Sequence, residues 1–381
     1  MVMQLADEPV QFRIFCSNHD LGGTVLNVPI DQWVQYNRNT AVWYSSTNKL
    51  GSVLSRELIN RADCRLFIVG LYDPVYNFKP LFRFSKIQKI ISVRGMLHPG
   101  ALSQKAFKKK LYLQFWKLLG WPSKFLFHVT DEQEREYVLK QFGRHTRTVV
   151  AGNFPLIYDR MELPQKEAGV LKLVSVALIS AMKNILMVLE SLFKIAEVYG
   201  LRSTLRQAQG YIRQDQGDIR QAQGEIGFQI EYNIYGPVKD EVYWEQCLEL
   251  IKELPSNIKV HYHGAVEPVA IKAALEDNHV FILPSKSENF GHSIFEALSA
   301  GRPVITSRNT PWNGLQSRGA GINVDGENVT EIEEAIGFFL DMPPDELVKW
   351  SKAAHEHAVR SVDGDKIKEE YRQMFGISTG T

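Results

Sequence analysis

Cysteine is scarce in this chain. Cys16, Cys64 and Cys247 lie far apart with no CxxC pair, which argues against a disulfide framework or a zinc site and points to a reducing compartment. Long apolar runs are missing too. No stretch of about 18 apolar residues occurs, so no segment reads as a membrane-spanning helix. The opening, MVMQLADEPVQF, lacks the basic-then-apolar pattern of a signal peptide. An excess of one charge sign is absent: 44 Lys and Arg stand against 43 Asp and Glu, which argues against a dedicated nucleic-acid binder. A cytoplasmic protein is the expectation, with attachment to the inner face of the cell membrane left open.

The 381 residues, 44% of them hydrophobic, suffice for two ordinary cores. Short apolar, β-branched runs alternate with helix-length amphipathic segments. RLFIV at 65–69, KIISV at 89–93, FLFHV at 125–129 and LKLVSVALI at 171–179 are such runs. YNIY at 232–235, IKVHY at 258–262, VFIL at 280–283 and PVIT at 303–306 follow. Runs of this kind between helices predict strands of parallel sheets, buried on both faces, in an α/β fold. A break with two prolines and no periodicity, NFPLIYDRMELPQKEAG at 153–169, marks a domain boundary. The expected domains are 1–155 and 156–355, followed by a carboxyl-terminal helix at 356–381 that crosses back to the first domain. Residues 206–226 read RQAQGYI, RQDQGDI, RQAQGEI, three copies at a period of seven. Each copy has one regular apolar position and a helix-weakening glycine, so a tandem-repeat insertion at 203–226, exposed to solvent, is expected in place of a coiled coil.

Chemistry concentrates in SKSENFGHSIFEALSAGRPVI at 285–305, just after the strand VFILP. Asn289–Gly291 predicts a turn, and a helix begins near Gly291 or His292. Unpaired N–H groups at a helix start form an anion site suited to a diphosphate. Glu288 lies before that helix and Glu296 about one and a half turns into it. Two carboxylates flanking an anion site can accept hydrogen bonds from the two sugars of a nucleotide-sugar. Taken one at a time, a capping or dipole role for Glu288 and a surface position for Glu296 are the more ordinary readings, and only the surrounding pattern reverses them.

The segment resembles the Glu-x7-Glu signature of retaining glycosyltransferases of family 4, also called group 1. The match comprises Ser287, Glu288, Phe290, Gly291, Glu296, Ala297, Leu298, Gly301, Pro303, Val304 and Ile305. The resemblance implies the GT-B architecture: two Rossmann-like doubly wound domains facing a cleft, no metal, no cofactor, and a nucleotide-diphosphate sugar as donor substrate. It implies that Glu288 approaches the donor sugar, that Glu296 binds the ribose and that the Phe290–Gly291 backbone lies near the phosphates. Asn289, His292, Gly236 and Gly264 complete the donor-binding set.

VSVALISAMKN at 174–184 is similar to the family's segment with an Arg and a Lys that neutralise the leaving diphosphate. Lys183 fits the Lys, while Leu178 occupies the Arg position. SVRGMLHPGAL at 92–102, FHVTDEQE at 127–134 and TPW at 310–312 resemble a branch used in polysaccharide and lipopolysaccharide assembly. Arg94 stands at a strand end where many relatives carry His, and an Arg there can bind phosphate or hydroxyl groups bidentately. His98 reads as an ordinary loop histidine. KAFKKKLYLQFWKLLGW at 105–121 is basic and aromatic, a candidate both for a packed helix and for contact with an anionic membrane near a lipid-linked acceptor. Gly22–Gly23 invites assignment as the family's glycine-rich turn. The LNVPIDQWVQYN that follows resembles a later region, so the amino-terminal domain is expected to lack its first strand–helix unit.

The leading expectation is retaining transfer of a hexose to a glycan or lipid-linked acceptor, with Glu288, Lys183 and Arg94 as the catalytic set. A non-catalytic nucleotide-sugar binder and a GT-B epimerase stay open at this point.

Overall fold

The computed structural model describes residues 1–19, 23–46, 53, 56, 64–83, 87–103, 105–214 and 227–377; within 201–214 only the backbone is described. The chain divides into two compact units. One joins Met1–Phe154 to Asp363–Thr381, and the other is Pro155–Val362.

In the first unit the described strands fall into two sheets. β1 (Phe12–Ser17), β2 (Trp33–Asn37) and β3 (Thr40–Ser45) form a sheet in the order β1-β3-β2. None of the runs expected to be parallel strands lies in this sheet: β1 runs parallel to β3, but β2 is antiparallel to it. The two residues between β2 and β3 are too few for a crossover, so the chain must reverse. The second sheet is parallel, in the order β4 (Arg65–Val69), β5 (Gln88–Ser92), β6 (Leu126–Val129), β7 (Arg147–Val150). Helices α1 (Ala106–Leu118) and α2 (Glu132–Phe142) belong to this unit. Leu113 and Trp116 of α1 are buried in a core with Ile91, Trp121 and Phe127. Asp131 caps α2 by accepting from the Glu134 N–H at 2.7 Å, satisfying one of the unpaired donors of the helix start.

The second unit holds six parallel strands: β8 (Val170–Val176), β9 (Gln229–Tyr235), β10 (Ile258–Tyr262), β11 (Val280–Leu283), β12 (Val304–Ser307) and β13 (Gly321–Val324). Their order is β10-β9-β8-β11-β12-β13. Strand order therefore reverses between β8 and β11, the doubly wound arrangement in which ligands sit beyond the carboxyl ends of the strands at the switch point. All four residues of β11 are fully buried, as a continuous apolar run between two helical layers requires. Helices α3 (Ile185–Gln214), α4 (Glu241–Glu253), α5 (Pro268–Glu276), α6 (His292–Ser299), α7 (Val329–Asp341) and α8 (Pro344–Ser361) connect and follow the strands.

The helical backbone of α3 continues to Gln214, into the second copy of the seven-residue repeat. The expected insertion at 203–226 thus begins inside a helix, and its remainder, 215–226, lies outside the described residues. At the carboxyl end α8 runs unbroken to Ser361, so the chain changes unit between Val362 and Asp363 and not at 355/356. The last helix, α9 (Gly364–Phe375), packs Tyr371 and Met374 against Leu5, Ile90 and Ala151 of the first unit.

Candidate active site

The loops that leave β8 and β11 meet at the switch point. Lys183, in the first, donates from Nζ to Glu288 Oε1, in the second, at 2.5 Å. The two side chains are 21% and 11% exposed, shielded enough for the pair to be stronger than a surface ion pair. The residue next to Lys183 sets the geometry. Asn184 takes φ +64°, a left-handed conformation that Asn tolerates better than most residues. Its buried side-chain amide donates to the Pro284 carbonyl at 3.1 Å and the Gly326 carbonyl at 2.5 Å. The Lys286 N–H donates to the Met182 carbonyl at 2.9 Å. Three loops are thereby pinned together around the Lys183–Glu288 pair.

The turn expected at Asn289–Gly291 leads into α6 at His292. Gly291 precedes the helix at φ +76°, with no side-chain cap on the helix start. A Cβ at Gly291 would lie 3.1 Å from Ile294 Cδ1 and 3.4 Å from Trp312 Nε1. The Trp312 indole N–H donates to the Phe290 carbonyl at 2.5 Å, and the two rings meet edge to face at 5.5 Å. This bond locks the turn and aims the uncapped start of α6 toward the carboxyl end of the sheet, where its dipole favours an anion. The sequence showed TPW only as a branch signature; the anchoring role of Trp312 has no local signal. Asn184 likewise has no local signal beyond its place directly after Lys183.

Glu296 is the fifth residue of α6. No hydrogen bond or ion pair holds its carboxylate among the described residues, and burial pushes its pKa up to about 7. The helix turn around it is tethered: Ser299 Oγ donates to the Glu296 carbonyl at 2.9 Å, and the Tyr158 N–H donates to Ser299 Oγ at 3.1 Å. A half-buried carboxylate without a donor is suited to accept from ligand hydroxyls.

The remaining candidates sort differently. Asn289 and Phe290 lie in the turn, half-buried, and His292 is exposed with its ring 4.8 Å from that of Phe290. Gly236 N–H donates to the Gly264 carbonyl at 2.7 Å, joining the ends of β9 and β10. A Cβ at Gly236 would sit 1.9 Å from the Ala177 carbonyl oxygen, so close strand packing explains this glycine without a ligand. Gly264, at φ +71°, has open space where a Cβ would be.

Arg94 belongs to the other unit. It follows β5 at φ +49°, and its Nη1 donates to Asn153 Oδ1 at 2.6 Å. Its positive charge also acts on Tyr371, whose pKa burial raises and Arg94 draws back down. The next residue, Gly95, donates its N–H to the buried Glu134, which also accepts from the Thr130 N–H at 2.7 Å. His98 accepts from the Gly100 N–H at 3.1 Å, a local loop bond.

Residues 227–357, about a third of the chain, match the family model described as glycosyl transferases group 1. Comparison with the curated proteins finds no match. Among solved structures, S. aureus TarM in complex with fondaparinux, α-GlcNAc-glycerol and UDP gives a TM-score of 0.53 at 16% identity, over 76% of this chain and 51% of that one. The chain thus spans about half the length of TarM. Sucrose-phosphate synthase from Thermosynechococcus elongatus gives a TM-score of 0.66 at 15% identity, over 96% and 89% of the two chains. Anabaena HepE in complex with UDP and glucose gives 0.60 at 14% identity, over 89% and 86%. The fold is GT-B. Identities this low establish the fold alone, and the matched segment 227–357 contains Glu288, Gly291 and Glu296 but not Lys183 or Arg94.

Proposed function

We propose that this protein is a retaining glycosyltransferase that moves a hexose from a nucleotide-diphosphate sugar to a glycan or lipid-linked acceptor in cell-surface polysaccharide synthesis. The observation that carries the reading is the Lys183–Glu288 pair at the β8/β11 switch point, beside an uncapped helix start. The Lys183 ammonium and the α6 start stabilise the diphosphate as it departs. Glu288 orients the donor sugar, and Glu296 accepts from the ribose hydroxyls. The bond between the anomeric carbon and the diphosphate oxygen breaks, a bond from that carbon to the acceptor oxygen forms, and the acceptor proton passes to the leaving phosphate. No protein nucleophile is assigned, and charge stabilisation supplies most of the catalysis. Arg94 contacts the acceptor or its phosphate. No metal or cofactor takes part. A cytoplasmic location suits the three dispersed cysteines, and a lipid-linked acceptor would bring the enzyme to a membrane surface.

The test is a panel of nucleotide-sugar donors scored for nucleoside diphosphate release, with and without lipid-linked acceptor. Acceptor-stimulated release with one donor is expected. Absence of release with every donor would sink the enzyme reading. Leu178, where the resembling family carries Arg, supports a second reading, a nucleotide-sugar binder without turnover. Saturable donor binding with no product would establish that alternative.

A further inference from the structure

Helix α1 has two apolar faces, and only one of them meets the core. Leu113 and Trp116 are buried, whereas Phe107, Leu111, Phe115 and Leu118 are between 42 and 84% exposed. Their spacing of four, four and three residues aligns them on one stripe of the helix. Exposed lysines border it, Lys108 on one side and Lys110 and Lys117 on the other. Lys109 turns inward, donating to the Ala101 carbonyl at 2.5 Å. Exposed Phe82 continues the patch: its ring lies 5.0 Å from Phe78, which in turn lies 6.2 Å from Phe115. A contiguous apolar patch of this kind marks an interaction surface.

The charge around it is one-sided. From Pro74 through Thr130 the chain contains no Asp or Glu, but nine Lys and two Arg, a local formal charge of +11 in a protein whose total is +1. We propose that this face docks on an anionic lipid bilayer. Phe107, Leu111, Phe115 and Leu118 enter the boundary between headgroups and acyl chains, while Lys105, Lys108, Lys110 and Lys117 lie over the lipid phosphates. No helix among the described residues is long and apolar enough to cross a membrane, so the contact is interfacial. A second copy of the chain is a poor occupant, because a two-fold contact would set the same lysines against each other with no acid in the run to neutralise them. A nucleic acid would use the lysines but leave Leu111 and Leu118 in water. The proposal holds whether or not the donor site turns over, since α1 lies in the unit that lacks Lys183 and Glu288.

The test is co-sedimentation of the full chain with vesicles of phosphatidylcholine alone and of equimolar phosphatidylcholine and phosphatidylglycerol. Binding should be stronger by at least about tenfold on the anionic vesicles at low salt, and should weaken as salt rises. Phe107→Ser with Leu118→Ser, and separately Lys108→Glu with Lys110→Glu, should each weaken it without lowering the melting temperature, because these side chains are exposed. Equal binding to both vesicles, binding to neither, or undiminished binding of both double variants would overturn the proposal. So would a dimer in light scattering that Leu118→Ser dissociates, or displacement from vesicles by single-stranded DNA with retention on DNA. Nucleoside diphosphate release, measured without vesicles, reports on the donor site separately.

Discussion

Glu296 carries the residue-scale consequence that is easiest to check. Its carboxyl titrates near 7 in the fold because burial disfavours the charge, against an ordinary value of 4.5. A raised carboxylate pKa means that ionisation costs stability, a cost absent below the ordinary carboxylate range and complete above about 7. Glu296→Gln should therefore raise the melting temperature of the ligand-free protein in mildly alkaline buffer and leave it unchanged in acid. The same variant should bind the nucleotide roughly 10- to 100-fold more weakly, the loss of a charged acceptor, measured by calorimetric titration. In the unmodified protein nucleotide affinity should rise as pH increases through about 7, since the ionised form is the better acceptor. Lys183→Met removes the cation and strands Glu288 half-buried without its partner. Donor turnover should fall by roughly 10²- to 10³-fold. Combining it with Glu288→Gln should cost less than the two single losses added, as a double-mutant cycle would read for groups in direct contact.

At the scale of elements, α6 is the one on which the site depends. Gly291→Ala forces a left-handed conformation on a residue with a Cβ and presses that Cβ toward Ile294 and Trp312. A loss of about 1–2 kcal/mol is expected from the backbone alone, seen as a lower denaturant midpoint. Nucleotide binding should weaken with it, because the helix start must shift. The extents of β4, β10 and β11 were legible in RLFIV, IKVHY and VFIL, since four or five residues rich in β-branched and aromatic side chains are too short for a helix and suit a strand. β1, β2 and β3 were not legible as strands. Their residues mix polar and aromatic side chains, and they hold through ring contacts such as Trp33 with Trp43 at 5.7 Å. The register shift between Gln35 and Asn37 blurs any two-residue alternation further.

Across the whole molecule, the two ends of the chain share one unit. Glu8 accepts from Arg372 at 2.7 Å and pairs with Lys368 at 3.2 Å, while Tyr371 fills a core with Leu5 and Ile90. Tyr371→Ala should destabilise that unit by roughly 3–5 kcal/mol, by analogy with other large aromatic deletions. Urea unfolding should then show an early transition from Met1–Phe154, while nucleotide still protects Pro155–Val362 from proteolysis. Sequence alone determined the local features: the buried strand runs, the glycine turn into a helix start, and the two carboxylates around it. Each depends on neighbours a few residues away, where periodicity and turn chemistry act directly. Tertiary structure alone decided that Lys183 meets Glu288 across 105 residues, that Asn184 fastens three loops, and that Phe107 and Leu118 face outward while Trp116 faces in. A helix apolar on two sides can bury either one, and which it buries is chosen by the elements packed against it.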